Sequence, residues 1–188
     1  MGQLNGRWAV RGAAMVAALA LVVPVATRAA LASDAELVTE ARKTLAVFQK
    51  NDPALAKFAA RSAGYAVFPT ITKGAIGVGG AHGTGVLFVK GKAMGKASLT
   101  QVTIGAQLGG QEYSEVIFFE TARAVADFEK GNAALSAEAA AVALKSGASA
   151  DAKYKGGVAV FTATKGGLMA DASVGGQKFG YEPFAHPQ

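Results

Sequence analysis

The chain has 188 residues, 51% of them hydrophobic, with 19 Lys and Arg against 13 Asp and Glu, two His and no Cys. That length and apolar share fit one domain, or at most two small ones, with a real core and exclude an intrinsically disordered chain. The missing cysteines exclude disulfides, thiolate metal sites, cysteine nucleophiles and a lipidated-Cys anchor, and two histidines are too few for a multi-histidine metal site. The formal charge of +6 leaves nucleic acid and anionic membrane to be weighed as partners.

Arg7 and Arg11 precede an uncharged apolar run over 12–26, and Ala30-Leu31-Ala32 offers an A-x-A cleavage site before Ser33. Residues 1–32 are therefore read as a secretory signal peptide, with an uncleaved membrane anchor as the alternative. Cleavage removes Arg7, Arg11 and Arg28 with no acid, which halves the net positive charge.

Residues 33–63 contain no glycine and read as a helical segment. Ser33 and Glu36 have capping-box spacing, and Leu37, Ala41, Leu45 and Phe48 follow on one helical face. Asp52 and Pro53 then cap and open a short second helix with Leu55, Phe58 and Ala59, closed by Gly64.

Residues 64–181 form a β-rich body, and twelve of the 24 glycines fall between Gly64 and Gly110. Residues 65–68 read as a short apolar strand stopped by Pro69. Residues 75–81 and 86–89 read as strands separated by Gly-rich turns. Residues 99–108 alternate as a half-buried strand, and 116–119 are wholly apolar. Thr121 caps a third helix with Val125 and Phe128 inward and Gly131 as its stop. Residues 133–145 fit a helix by their alanines and a strand by their position. Residues 156–179 hold two strands about a turn at Lys165-Gly166-Gly167, and 182–188 read as a loose tail. Ala66-Val67-Phe68 with Thr72-Lys73-Gly74 is echoed by Ala159-Val160-Phe161 with Thr164-Lys165-Gly166. That echo reads either as reused turn chemistry or as two similar hairpins placing lysines at related edges of one sheet.

Catalytic patterns fail when tested. Gly77-Val78-Gly79 and Gly83-Thr84-Gly85 lack the third glycine and the following helix of a dinucleotide site. Gly91-Lys92-Ala93-Met94-Gly95-Lys96-Ala97 is one residue short of a P-loop and has Ala where a magnesium-binding hydroxyl belongs. There is no G-x-S-x-G, and His82 and His186 read as solvated. No catalytic residue, metal site or cofactor is expected. What remains is lysines read on turns, Lys73, Lys90, Lys92, Lys96 and Lys165, as candidates for phosphate headgroups. Phe68, Phe118, Phe119 and Phe161 sit in apolar strands as core rather than as base-stacking platforms, so no nucleic acid is expected.

Residues 63–69 (AGYAVFP), Lys73-Gly74, 77–80 (GVGG) and 83–87 (GTGVL) resemble the opening of the SYLF lipid-binding domain. Residues 104–110 (IGAQLGG) followed by 116–119 (VIFF) resemble its middle, and 164–170 (TKGGLMA) with 173–175 its closing element. The resemblance implies a phospholipid-binding module without catalytic activity, and a strand over 133–145. Eukaryotic relatives bind phosphoinositides, and some associate with actin; an exported bacterial-type chain meets neither, so anionic phospholipid is the expected partner.

The fold expected is α+β, a strongly curved, mainly antiparallel, barrel-like sheet with an N-terminal helical pair and one inserted helix. The function expected is peripheral binding to anionic membrane from the periplasm, through the turn lysines. Leu37, Leu45 and Phe48 are candidates for shallow insertion, the simpler alternative being that they cover the sheet. A structural envelope protein with a protein partner, and a small transmembrane β-barrel, are the alternatives.

Overall fold

The computed structural model describes residues 25–76, 78–104, 109–131, 142–143, 149, 152–164 and 176–188. Its helices are α1 (Val25–Asn51), α2 (Leu55–Arg61) and α3 (Ala122–Glu129). Its strands are β1 (Gly64–Ile76), β2 (Val78–Val89), β3 (Lys92–Ile104), β4 (Gly109–Phe119), β5 (Val142–Ala143), β6 (Val158–Thr164) and β7 (Gln177–Pro183). They form one sheet in the order β5-β6-β4-β1-β2-β3-β7, antiparallel throughout except for the β5–β6 pair.

The sheet is curved, as expected. β4 and β7 stand four places apart in the order, about 19 Å in a flat sheet. Yet Gln177 Nε2 of β7 donates to Glu115 Oε2 of β4 at 3.1 Å, so these side chains meet across a concave face. The curl does not close: among the described residues the sheet ends at β5 and β7. The transmembrane-barrel alternative needs a closed sheet and a lipid-facing exterior, and the described strands do not form a closed one. Here α1 and α2 cover the outer face beside Val67, Val86 and Val116, and farther along the strands the outward side chains Thr72, His82 and Thr100 are exposed and polar.

Two cores follow from the two faces. Inside the curve lie Phe68, Ile71, Leu87, Leu99, Ile117 and Phe119, with Val125 and Phe128 of α3. The Phe128 ring is 4.9 Å from that of Phe119 and 5.2 Å from that of Phe179, so α3 plugs one end of the concave space. Outside, Val67, Val86, Phe88, Val116, Phe118 and Phe161 lie under Val38, Ala41 and Phe48 of α1 and Leu55 and Phe58 of α2. Burial on both faces explains why 65–68 and 116–119 read as unbroken apolar runs rather than alternating ones.

The third helix forms as read: Thr121 Oγ1 accepts from the Ala124 amide at 3.2 Å, and Gly131 leaves the helix at φ 70°. Of the alternating residues 99–108, Leu99 and Gln101 point inward and Thr100 and Val102 to solvent. Other expectations are corrected. Ser33 lies inside α1, because the alanine-rich stretch before it continues the helix in the uncut chain. Pro69 does not stop β1. The strand runs on through a bulge, where its register slips against both β2 and β4 and the missing N–H costs no ladder bond. The Ser114 hydroxyl donates to the freed Pro69 carbonyl at 2.7 Å. Gly83 and Gly85, between the two expected strands 75–81 and 86–89, are not a turn either, since β2 runs unbroken from Val78 to Val89. Gly85 lies against the bulge, where a Cβ would stand 2.7 Å from Phe68 Cδ1.

The tail is not loose. Gln188 exchanges both backbone hydrogen bonds with Ala93, the Phe184 amide donates to the Met94 carbonyl at 3.0 Å, and Phe184 is buried. Of 133–145, Val142 and Ala143 form the short parallel strand β5 and the remainder lies outside the described residues. The echoed segments flank β4 on either side, but Ala66 faces the inner core and Ala159 the outer one. The two strands are neighbours of one strand rather than equivalent hairpins.

Candidate anion-binding surface

Several connections gather at the α3 end of the sheet. Gly64 pairs with both Val89 and Phe119, Val89 with Lys92, and Phe119 with Val158. The α2–β1 link, the β2–β3 turn, the β4–α3 link and the entry to β6 therefore lie side by side. The β2–β3 connection is the two-residue turn Lys90-Gly91, with φ of 51° and 77°. Both positive values mark the primed turn that matches strand twist, and glycine takes the second without strain. Lys90 and Lys92 are exposed on it, and Arg61, Arg123 and Lys155 are exposed on the adjoining connections. Glu120 is exposed among them, and Asp127 pairs with Arg123 at 3.8 Å.

Two arginines border this end on an aromatic ladder. The Arg42 guanidinium lies 5.2 Å from the centre of the Phe88 ring, which stacks on Tyr65 at 5.1 Å. Tyr65 meets Phe118 at 5.9 Å, Phe118 meets Phe58 at 5.8 Å, and Arg61 lies 5.5 Å over Phe58. Arg42 also donates to the Gln188 carbonyl at 3.3 Å, and Arg61 Nε to the Lys57 carbonyl at 3.2 Å. Burial pushes the Tyr65 hydroxyl up, with Arg42 pulling the other way. Burial raises Tyr154 too, Arg61 opposing and Glu120 adding. The ring contacts hold both guanidinium groups in place, so less side-chain freedom is lost when they meet an anion.

The lysines singled out in the sequence separate. Lys90 and Lys92 stay together at the turn. Lys96 lies in β3 and pairs with Glu182 of β7 at 3.4 Å. Lys73 is not on a turn: it is buried within β1 on the concave face, about 30 Å along the strand from Gly64. Lys165 lies outside the described residues. Phe48 is buried, and Leu37 and Leu45 pack partly buried against the outer core, so this helix face covers the sheet, the nearest apolar partner. His82 is exposed in the middle of β2 and His186 on the ordered tail. The sequence reading passed over Arg42, Arg61 and Lys155. A usable signal was the Lys153-Tyr154-Lys155 triplet before Gly156-Gly157, a basic and aromatic approach to a turn.

Among the described residues no group of three His, Asp or Glu side chains could hold a metal ion, and no helix is long and apolar enough to cross a membrane. Residues 100–182 match the model of the Ysc84 family, described as Las17-binding protein actin regulator. This stretch of the chain is a SYLF (Ysc84) domain match. It takes in the end of β3 and most of the body from β4 to β7. Beta cell expansion factor A of Aeromonas veronii is 34% identical over 76 residues, covering 40% of this chain and 29% of that protein. Less than a third of that relative is thus spanned. Of the basic end, Arg123 and Lys155 fall inside the SYLF match and Arg61, Lys90 and Lys92 precede it.

Proposed function

We propose that this chain is a non-catalytic phospholipid-binding protein that seats the basic end of its sheet on an anionic membrane surface. The observation that carries the reading is the two-residue Lys90-Gly91 turn, which leaves Lys90 and Lys92 exposed beside Arg61 and Lys155. Each such cation near an anionic bilayer contributes about 1 kcal/mol, so four act together as a salt-sensitive foot. The SYLF match supports a lipid partner. On this reading residues 1–32 are a leader, and the membrane is met from the periplasmic side of the envelope.

Sedimentation of the full chain with phosphatidylcholine vesicles of increasing phosphatidylglycerol content tests the proposal. Binding should rise with the anionic lipid, fall with salt, and weaken in Lys90→Glu/Lys92→Glu. Binding indifferent to lipid charge overturns it.

A further inference from the structure

Beyond the apolar layers packed on α3, the concave interior turns polar. Lys73, Gln101, Tyr113, Glu115, Thr162 and Gln177 lie there, each less than a tenth exposed. The strand register brings them together. Phe68 and Thr162 flank Glu115, and Lys73, Ala81, Gln101 and Gln177 form one row across β1, β2, β3 and β7.

Glu115 and Gln177 are both fully buried, and the Gln177 amide donates to one carboxyl oxygen. The other oxygen of each side chain, Glu115 Oε1 and Gln177 Oε1, is buried and takes no hydrogen bond from the described residues. Two acceptors cannot satisfy each other. A single proton on Glu115 Oε1 supplies the missing donor, and acid and amide can then pair reciprocally. Buried polar groups without partners are rare because each costs its full desolvation.

We propose that Glu115 is carried as the neutral acid, and that its proton-dependent pairing with Gln177 is a latch holding edge strand β7 against β4 across the concave interior. Burial pushes the Glu115 carboxyl up to about 7, the Gln177 amide partly opposing. Among the described residues the other titratable or charged groups on this face are Tyr113 of β4 and Lys73 of β1. Tyr181 lies farther along β7, towards Glu129 of α3. The Tyr113 hydroxyl is itself pushed up by burial, then by Glu115, with a hydrogen bond to Gln177 opposing. β3, β6 and β2 contribute the uncharged Gln101, Thr162 and Ala81. Losing the proton leaves a desolvated carboxylate whose Oε1 has no hydrogen bond among the described residues. β7 is the element that yields, because among the described residues only β3 pairs with it. Its release withdraws Phe179 from Phe68 and Phe128.

Hydrogen–deuterium exchange of the β7 amides in the full chain, expressed as protection factors, tests the latch. Protection should fall by up to about tenfold per pH unit between the usual carboxyl range and about pH 7, then level off. Glu115→Gln keeps an amide donor where the acid proton sat and should hold protection across the range. Flat protection in the unsubstituted chain, or the same slope in Glu115→Gln, overturns the latch. Should that variant fold poorly, the side-chain carboxyl ¹³C shift of Glu115 in the unsubstituted chain decides. A midpoint well above the usual carboxyl range supports the latch, and an ordinary one overturns it.

Discussion

The Asp52 carboxylate, nearly fully buried between α1 and α2, accepts the backbone amide of Ser149 at 2.7 Å across 97 positions of sequence. Its other oxygen takes the Ala54 amide at 3.1 Å. One side chain thus turns the chain between the helices and ties that turn to the segment leading into β6. Charge-assisted hydrogen bonds of this kind are stronger than neutral ones. Asp52→Ala strands two amides and should destabilise by about 2–4 kcal/mol. Asp52→Asn, which keeps one acceptor, should cost less. Urea denaturation measures both, and an Ala variant as stable as the parent refutes the assignment.

Gly85 gives a second stability prediction. A Cβ there meets the Phe68 ring and the Val67 carbonyl at the bulge, so neither strand can retreat without losing core contact. Gly85→Ala should destabilise by about 1–3 kcal/mol. Gly74→Ala on β1 is the control: a Cβ there has nothing within 4 Å, and the change should stay within about 0.5 kcal/mol. Equal thermal midpoints for the two variants would show that β1 and β2 are not held close at Gly85.

These residues also show where sequence reading succeeds and where it stops. α3 was legible because its signals are local: a Thr cap, two apolar residues a turn apart, and a Gly stop. Lys90 and Lys92 were legible as a turn because glycine separates them between two apolar runs. Pro69 misled because its tolerance depends on a bulge and on Ser114, 45 positions away. Gly83 and Gly85 misled because close strand approach and a turn call for the same residue. Lys73 was misplaced by its neighbour Gly74, which imitates a turn inside a continuing strand. Glu115 gave no sign at all, since its partner stands 62 residues on and only the curl of the sheet brings them together.

The basic end predicts an unequal lysine series. Lys90→Gln and Lys92→Gln should each weaken vesicle binding by about 1 kcal/mol, roughly fivefold. Arg61→Gln should do the same despite its distance in sequence. Lys96→Gln should change little, because that ammonium is already paired with Glu182. Vesicle titrations at one fixed salt concentration check the order. A Lys96→Gln effect equal to that of Lys90→Gln contradicts a localised foot.

The buried carboxyl fixes the sign of a pH effect on folding. Burial raises Glu115 from its ordinary value to about 7, so the folded chain holds its proton over a range where the unfolded chain has released it. Stability from this group is therefore fully present below the ordinary carboxyl range. It declines as pH rises towards about 7 and is constant above. The total decline is about 3 kcal/mol. Other carboxylates that accept hydrogen bonds in the fold, Asp52 among them, contribute slopes of their own. The difference between the parent chain and Glu115→Gln isolates this one. At pH 8 the Gln variant should be the more stable of the two, because it keeps the donor and carries no charge. At pH 4 that advantage should vanish. Urea midpoints at the two pH values decide it, and a stability difference that does not move with pH would mean that Glu115 is ionised in the folded chain.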